Sequence, residues 1–192
     1  PYLGICLGLQ IATIEFCRNV LGMTGANSTE FEDNPEHAAV IFMPEISKTH
    51  LGGTMRLGSR PTIWQSDGSK IRALYGPGET VDERHRHRYE VNPDLIERIE
   101  GAGLVFVGKD ESGQRCEIFE LNDHPYYVGV QFHPEVVHTL DGKKLIHNFV
   151  KNISLCKTTW SMESFLDYKV DILKNQVGLK KVLCGLSGGV DS

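Results

Sequence analysis

No run of apolar residues in this 192-residue chain approaches the ~20 needed to carry a helix across a bilayer, and no basic patch followed by an apolar stretch marks its first residues. A membrane or exported protein is therefore not expected, and a cytoplasmic one is. Cysteine is scarce and odd in number. The five residues Cys6, Cys17, Cys116, Cys156 and Cys184 include no CxxC pair, which argues against a disulfide framework and a zinc site and predicts free thiols. Positive charge is in deficit, since 20 Lys and Arg against 25 Asp and Glu leave a net charge of −5. A nucleic-acid partner held by a basic field is excluded on that ground. Internal repeats, low-complexity tracts and a Gly-Lys-Ser/Thr phosphate loop are also missing. What is present, 40% hydrophobic and 23% charged residues, suffices for one core of ordinary size with a short appended element.

Pro1 rather than Met stands first, and Pro1-Tyr2-Leu3-Gly4-Ile5-Cys6 opens on what reads as the end of a buried strand, so the expectation is a piece that starts inside a larger protein. Leu7, Ile11, Ile14 and Leu21 recur at helical intervals and predict a helix that ends by Gly22. Strands are predicted at residues 38–42, 104–107, 116–121 and 126–132, with a turn at Glu111-Ser112-Gly113 and a helix over residues 93–100. A further helix is expected with Leu145, Ile146, Phe149, Val150 and Ile153 on its buried stripe. After a polar linker, Ser161-Met162-Glu163-Ser164 opens an amphipathic segment, with Phe165, Tyr168, Ile172 and Leu173 on one face. Residues 182–186 read as a buried strand before the chain stops at Ser192, which again suggests a larger parent.

Two short motifs carry chemistry. Gly4-Ile5-Cys6-Leu7-Gly8 is G-x-C-x-G at a strand-to-helix junction, the arrangement that holds a nucleophile on a strained turn, with the helix start favouring the thiolate. Taken alone it is equally compatible with a buried, inert Cys6. His133-Pro134-Glu135 follows a strand, and residues two apart on an extended chain share a side, so Glu135 can orient His133 as a base. A lone His-x-Glu is usually a surface loop. Together the two motifs make a Cys/His/Glu triad candidate. In Arg84–Arg88, an extended chain places three arginines on one side and His85 and His87 on the other. The flanking cations oppose a divalent ion there, and no metal is expected.

With these residues the chain resembles the class I glutamine amidotransferases, and within them the CTP synthase family. Three segments carry the closer likeness over residues 1–135: Ala26-Asn27-Ser28-Thr29-Glu30-Phe31, Leu51-Gly52-Gly53-Thr54-Met55-Arg56-Leu57-Gly58 and Glu83-Arg84-His85-Arg86-His87-Arg88-Tyr89-Glu90-Val91-Asn92-Pro93. The resemblance implies an α/β, flavodoxin-like sheet with helices on both faces, incomplete at its N-terminus, plus a short C-terminal helix-strand appendage. It also implies Cys6 as nucleophile, His133 as general acid/base and Glu135 as its partner. Leu7 would supply an oxyanion N–H, while Gln10, Glu30 and Arg88 would bind glutamine. Glu30 as a turn cap and Gln10 as a solvated helix residue remain open, as does a ligand-free reading of Gly52–Gly58 in place of a lid.

After Glu135 the likeness shifts to the junction of the GMP synthase family, where Ser187-Gly188-Gly189-Val190-Asp191-Ser192 resembles the loop of ATP pyrophosphatases. The expected division is a glutaminase domain over 1–153, a linker over 154–161 and the start of a pyrophosphatase-like domain over 162–192. The function implied is glutamine hydrolysis supplying ammonia for amination of UTP to CTP. The alternatives are XMP to GMP, or a silent fragment or interaction module, because the resemblance places a second oxyanion donor upstream of the nucleophile. No cofactor is expected in the glutaminase domain. The full enzyme would use ATP and Mg, pair this domain with a UTP- and ATP-binding synthase domain, and form a homo-oligomer, with no nucleic acid or membrane as partner.

Overall fold

The computed structural model describes residues 1–43, 55–183 and 185, in two compact units, Pro1–Leu155 and Cys156–Ser192. The first unit runs β1 (Tyr2–Ile5), α1 (Leu7–Asn19), β2 (Ala26–Ser28), β3 (His37–Phe42), β4 (Arg56–Trp64), α2 (Arg72–Tyr75), β5 (Thr80–His87) and β6 (Tyr89–Val91). A 3₁₀ turn at Pro93–Leu95 leads into α3 (Ile96–Gly101), followed by β7 (Leu104–Lys109), β8 (Cys116–Leu121), β9 (Tyr127–Val130), α4 (Gly142–His147) and a π-helical turn at Asn148–Ile153.

Six strands form the main sheet in the order β1-β9-β8-β7-β4-β5, with β1 parallel to β9 and the other pairs antiparallel. A smaller sheet orders β2-β3-β6. Side-chain alternation along β9 sends Tyr127 to one cluster and Val128 and Val130 to another. The first cluster holds Leu9, Phe16 and Cys17 of α1 with Ile99 of α3, and the second holds Leu145 of α4 with Ile71 and Phe132. Helices therefore cover both faces, as the α/β expectation requires. Each fully buried Leu or Phe contributes about 1.5–3 kcal/mol.

The strands predicted within this unit and the helix after Pro93 are present, and β8 matches its expected ends. Three details differ. Leu7 and Ile11 are 48% and 45% exposed, because the buried stripe of α1 runs through Leu9, Ala12, Thr13, Phe16 and Cys17, where small and polar residues hide the apolar rhythm. Val150 is exposed because the π-helical turn breaks the 3.6-residue spacing that would have carried it inward. In the segment compared with a lid, Arg56, Leu57 and Gly58 begin β4 and pair with β5, whereas residues 51–54 lie outside the described residues.

In the second unit α5 (Met162–Val177) starts from a capping box, in which Ser161 and Ser164 each accept from the other's backbone N–H. Gly178 ends the helix at φ +57. No residue of α5 is buried. The strand expected at 182–186 is not borne out where it is described, since Val182 and Leu183 are exposed and in no strand. A lone apolar segment forms no ladder without a second strand to take its backbone groups. The candidate phosphate loop Ser187-Gly188-Gly189-Val190-Asp191-Ser192 lies outside the described residues. Among the described residues no helix is long and apolar enough to cross a membrane.

The sheet tolerates no side chain at Gly129, where a Cβ would lie 2.5 Å from the Phe119 ring. A Gly129→Val variant should lose about 1–3 kcal/mol by overpacking, read as a lower urea midpoint. An unchanged midpoint would contradict that close approach.

Candidate active site

Strand β1 ends at Ile5 and α1 begins at Leu7, so Cys6 turns the chain, at φ +51 and ψ −103. A non-glycine residue at positive φ is strained by its Cβ, and such strain collects at functional turns. Neighbouring contacts hold it there. The Cys6 N–H donates to the Val130 carbonyl at 2.7 Å, and the Tyr2 hydroxyl donates to the Gly8 carbonyl at 2.7 Å. Gly4 is required beneath the turn, because a Cβ would fall 2.8 Å from the Gly8 carbonyl carbon.

Burial dominates the environment of the sulfur and pushes the Cys6 thiol pKa up. The Leu7 N–H and a Gln131 hydrogen bond act in the opposite direction, while Glu135 and Glu30 raise the value further. The thiolate-favouring effect expected from the helix start is thus present through Leu7 but outweighed in the resting site. Cys6 opens into a cavity of about 260 Å³ that also receives Leu7, Gln10, Glu30 and Arg88, together with Met55, Arg86, His87 and Tyr89. Every residue that the resemblance assigned to glutamine binding meets the thiol here.

Gln10 is buried rather than solvated, and its Nε2 donates to the Tyr89 carbonyl at 2.9 Å and to Gln131 Oε1 at 3.2 Å. Glu30 follows β2, and its own N–H is capped by Ser28 Oγ at 3.1 Å. Ser28 is therefore the turn cap, leaving the Glu30 carboxylate to line the cavity.

His133 and Glu135 line a neighbouring cavity of about 390 Å³ that shares Arg86 with the first. The His133 Nδ1–H donates to Glu135 Oε1 at 2.7 Å, and the His133 N–H donates to the Arg84 carbonyl at 2.8 Å. The predicted pair forms, but not by strand alternation. β9 stops at Val130, and a series of turns brings the two side chains together. Sequence reading assigned no role to Gln131, which donates from Nε2 to Cys6 Sγ at 3.5 Å. The signal was its place two residues before His133. The Tyr89 carbonyl, a backbone group, carried no signal at all.

Beside the cavity the inward face of β5 is polar, with Glu83, His85 and His87 buried. His87 Nδ1 faces the Tyr89 carbonyl at 3.0 Å and must donate to it, so in the neutral ring Nε2 accepts. His85 Nδ1 then donates to that nitrogen at 3.0 Å. Burial drives the His85 pKa down to about 2, with His87 and Arg56 adding to the effect, and burial takes His87 to about 4. Glu117 accepts from Arg56 Nη2 at 2.6 Å and from Thr62 Oγ1 at 2.5 Å. Burial pushes Glu117 up to about 7, against the pull of Arg56.

These imidazoles make a prediction about acid stability. The folded chain keeps His85 neutral while the unfolded chain protonates it near pH 6.5, so acid favours unfolding from that pH downward. A His85→Gln variant should gain on the parent by about 1.4 kcal/mol per pH unit below 6.5. Urea titrations between pH 7.5 and 4.5 measure this, and parallel stability curves would count against a neutral buried His85.

The glutamine amidotransferase class-I family matches residues 1–153. CTP synthase 2 of Saccharomyces cerevisiae (strain S288c) is 62% identical over 141 residues, which cover 70% of this chain and 24% of that protein. The chain thus spans about a quarter of the length of the curated relatives it matches. Among solved structures, the Trypanosoma brucei CTPS glutaminase domain with bound acivicin superposes with a TM-score of 0.73 at 34% identity, covering 84% of this chain and 62% of that one. A putative GMP synthase subunit from Thermoplasma acidophilum shares the fold alone, at a TM-score of 0.50 and 19% identity over 88% of this chain and 61% of that chain. A nucleophile elbow opening on an acid and a guanidinium, together with a family match over residues 1–153, places the chain in the class I glutamine amidotransferase family.

Proposed function

We propose that the first unit is a glutaminase of the CTP synthase type, hydrolysing glutamine so that ammonia can aminate UTP. The observation that carries this reading is the strained Cys6 opening into one cavity with Glu30, Gln10 and Arg88. An α-amino acid needs a carboxylate for its ammonium and a guanidinium for its carboxylate, and the cavity offers both beside a nucleophile. The identity to CTP synthases supports the choice of UTP as acceptor.

In this reading the Cys6 sulfur attacks the side-chain carbonyl carbon of glutamine, and the Leu7 N–H stabilises the oxyanion. His133, oriented by Glu135, takes the thiol proton as the sulfur attacks and delivers it to the departing nitrogen, so the C–N bond breaks and ammonia leaves a thioester on Cys6. Water then hydrolyses the thioester to glutamate and returns the thiol. The whole protein would add a synthase domain that uses ATP and Mg, and would act as a cytoplasmic homo-oligomer. No step of the glutaminase reaction passes through those groups. We extend the reading to the domain limits 1–153, 154–161 and 162–192. The pyrophosphatase-like start of the last rests on the Ser187–Ser192 sequence, which also carries the GMP synthase alternative.

In the full-length protein, Cys6→Ala should abolish CTP formation from glutamine but retain it from added ammonia. Loss of both would point to a structural role for Cys6. His133→Ala should resemble Cys6→Ala. Glu135→Gln should lower glutamine-dependent kcat by about 10²–10⁴ and leave a measurable remainder, whereas equal, mild losses for His133 and Glu135 variants would remove the triad.

Arg88→Ala should raise the glutamine KM about tenfold or more with a smaller change in kcat, since a carboxylate clamp acts alike in ground and transition states. Steady-state kinetics with a fall in kcat alone would take Arg88 out of substrate binding.

A further inference from the structure

The Tyr89 carbonyl can only accept hydrogen bonds, and this settles the polarity of the amide groups beside the thiol. The Gln10 atom 2.9 Å from it must be the NH₂ nitrogen. The second N–H of that nitrogen points to Gln131 at 3.2 Å, which must present its oxygen. The other end of the Gln131 amide is then its own NH₂, 3.5 Å from Cys6 Sγ, and this is an N–H that donates to sulfur. Gln131 is 1% exposed, and its backbone N–H is tied to the Glu117 carbonyl at 2.8 Å, so the amide has little freedom to turn over.

From this chain we infer that Gln131 is a positioning residue that anchors the Cys6 sulfur through a donated N–H and dictates which end of the Gln10 amide meets a ligand. The inference rests on the glutaminase reading for its bearing on catalysis. Both Gln10 N–H groups are committed, so Gln10 offers the cavity an acceptor, Oε1. It therefore recognises a ligand group that bears N–H, an ammonium or a carboxamide NH₂, and disfavours a carboxylate at that place. Gln131 also gives a developing negative charge on sulfur a fixed donor before the ligand arrives.

The experiment is the pH dependence of Cys6 alkylation by iodoacetamide in the full chain, read by mass spectrometry of the Cys6 peptide. The other titratable and charged groups near the sulfur, Glu30, Arg86, His87, Arg88, His133 and Glu135, are the same in parent and variants. Gln131→Met removes the donor at similar volume and should move the alkylation midpoint up by about one pH unit, or about tenfold slower reaction at pH 7.5. In the Gln131→Glu variant a carboxylate can still accept from Gln10 but faces the sulfur with a negative charge, and the upward shift should be at least as large. Should Gln131→Met fail to fold by circular dichroism, Gln131→Leu, which also lacks a donor and adds no charge, decides the same question. A folded variant that alkylates along the parent curve overturns the inference. Absence of glutaminase activity from the parent full-length protein would instead overturn the glutaminase reading while leaving the titration of Cys6 as it stands, so the two failures are distinguishable.

Discussion

The parallel pairing of β1 with β9 is the constraint from which the rest follows. Their register sets Ile5 beside Val130, so the residues that continue each strand, Cys6 on one and Gln131 on the other, emerge side by side. Two chain segments more than a hundred positions apart thereby share one sheet end. The ladder continues into the turn through the Cys6 N–H and the Val130 carbonyl, and it is this bond that ties a strained residue to a rigid sheet. Ligands in open α/β sheets gather outside the carboxyl ends of strands for the same geometric reason.

Much of this was legible in the sequence, and the parts that were not share a cause. β8 and the helix after Pro93 announced themselves through apolar and β-branched runs or a proline start. Cys6 and the His133–Glu135 pair were visible through their motifs, G-x-C-x-G, in which Gly4 is required by the close approach of Gly8, and His-Pro-Glu. α1 was found, but its buried face was misplaced, because Gln10 and Thr13 are interior polar residues. β4 passed unread over its whole length, Arg56–Trp64, because its early residues alternate charge and glycine rather than apolar and polar. Its pairing is dictated by β5, which presents Glu83, His85 and His87 to the interior. Periodicity locates strands that bury hydrocarbon, and it misses strands that bury charge.

Buried charge has its own logic here. The Arg56–Glu117 pair, with Thr62, fixes the start of β4 to β8 in the middle of the sheet, and Met55 just before it reaches the thiol cavity. An ion pair of this kind adds little net stability over a well-packed apolar substitute, but losing one partner costs several kcal/mol. The pair ties β4 to β8, and β4 in turn pairs with β5, whose Arg86 lies at the boundary between the two cavities.

The elbow is preformed. Tyr2, whose hydroxyl holds Gly8 and whose ring stacks on Tyr127, braces the strained turn at Cys6 through contacts internal to the protein. A permanently displayed cysteine is exposed to oxidants, and oxidation to sulfenic and higher acids proceeds through the thiolate. Burial raises the thiol pKa and so lowers the thiolate fraction through which oxidation proceeds. The elbow holds the Cys6 sulfur at the head of a helix while burial lowers its thiolate fraction, and a ligand that supplies positive charge and hydrogen-bond donors would raise that fraction again.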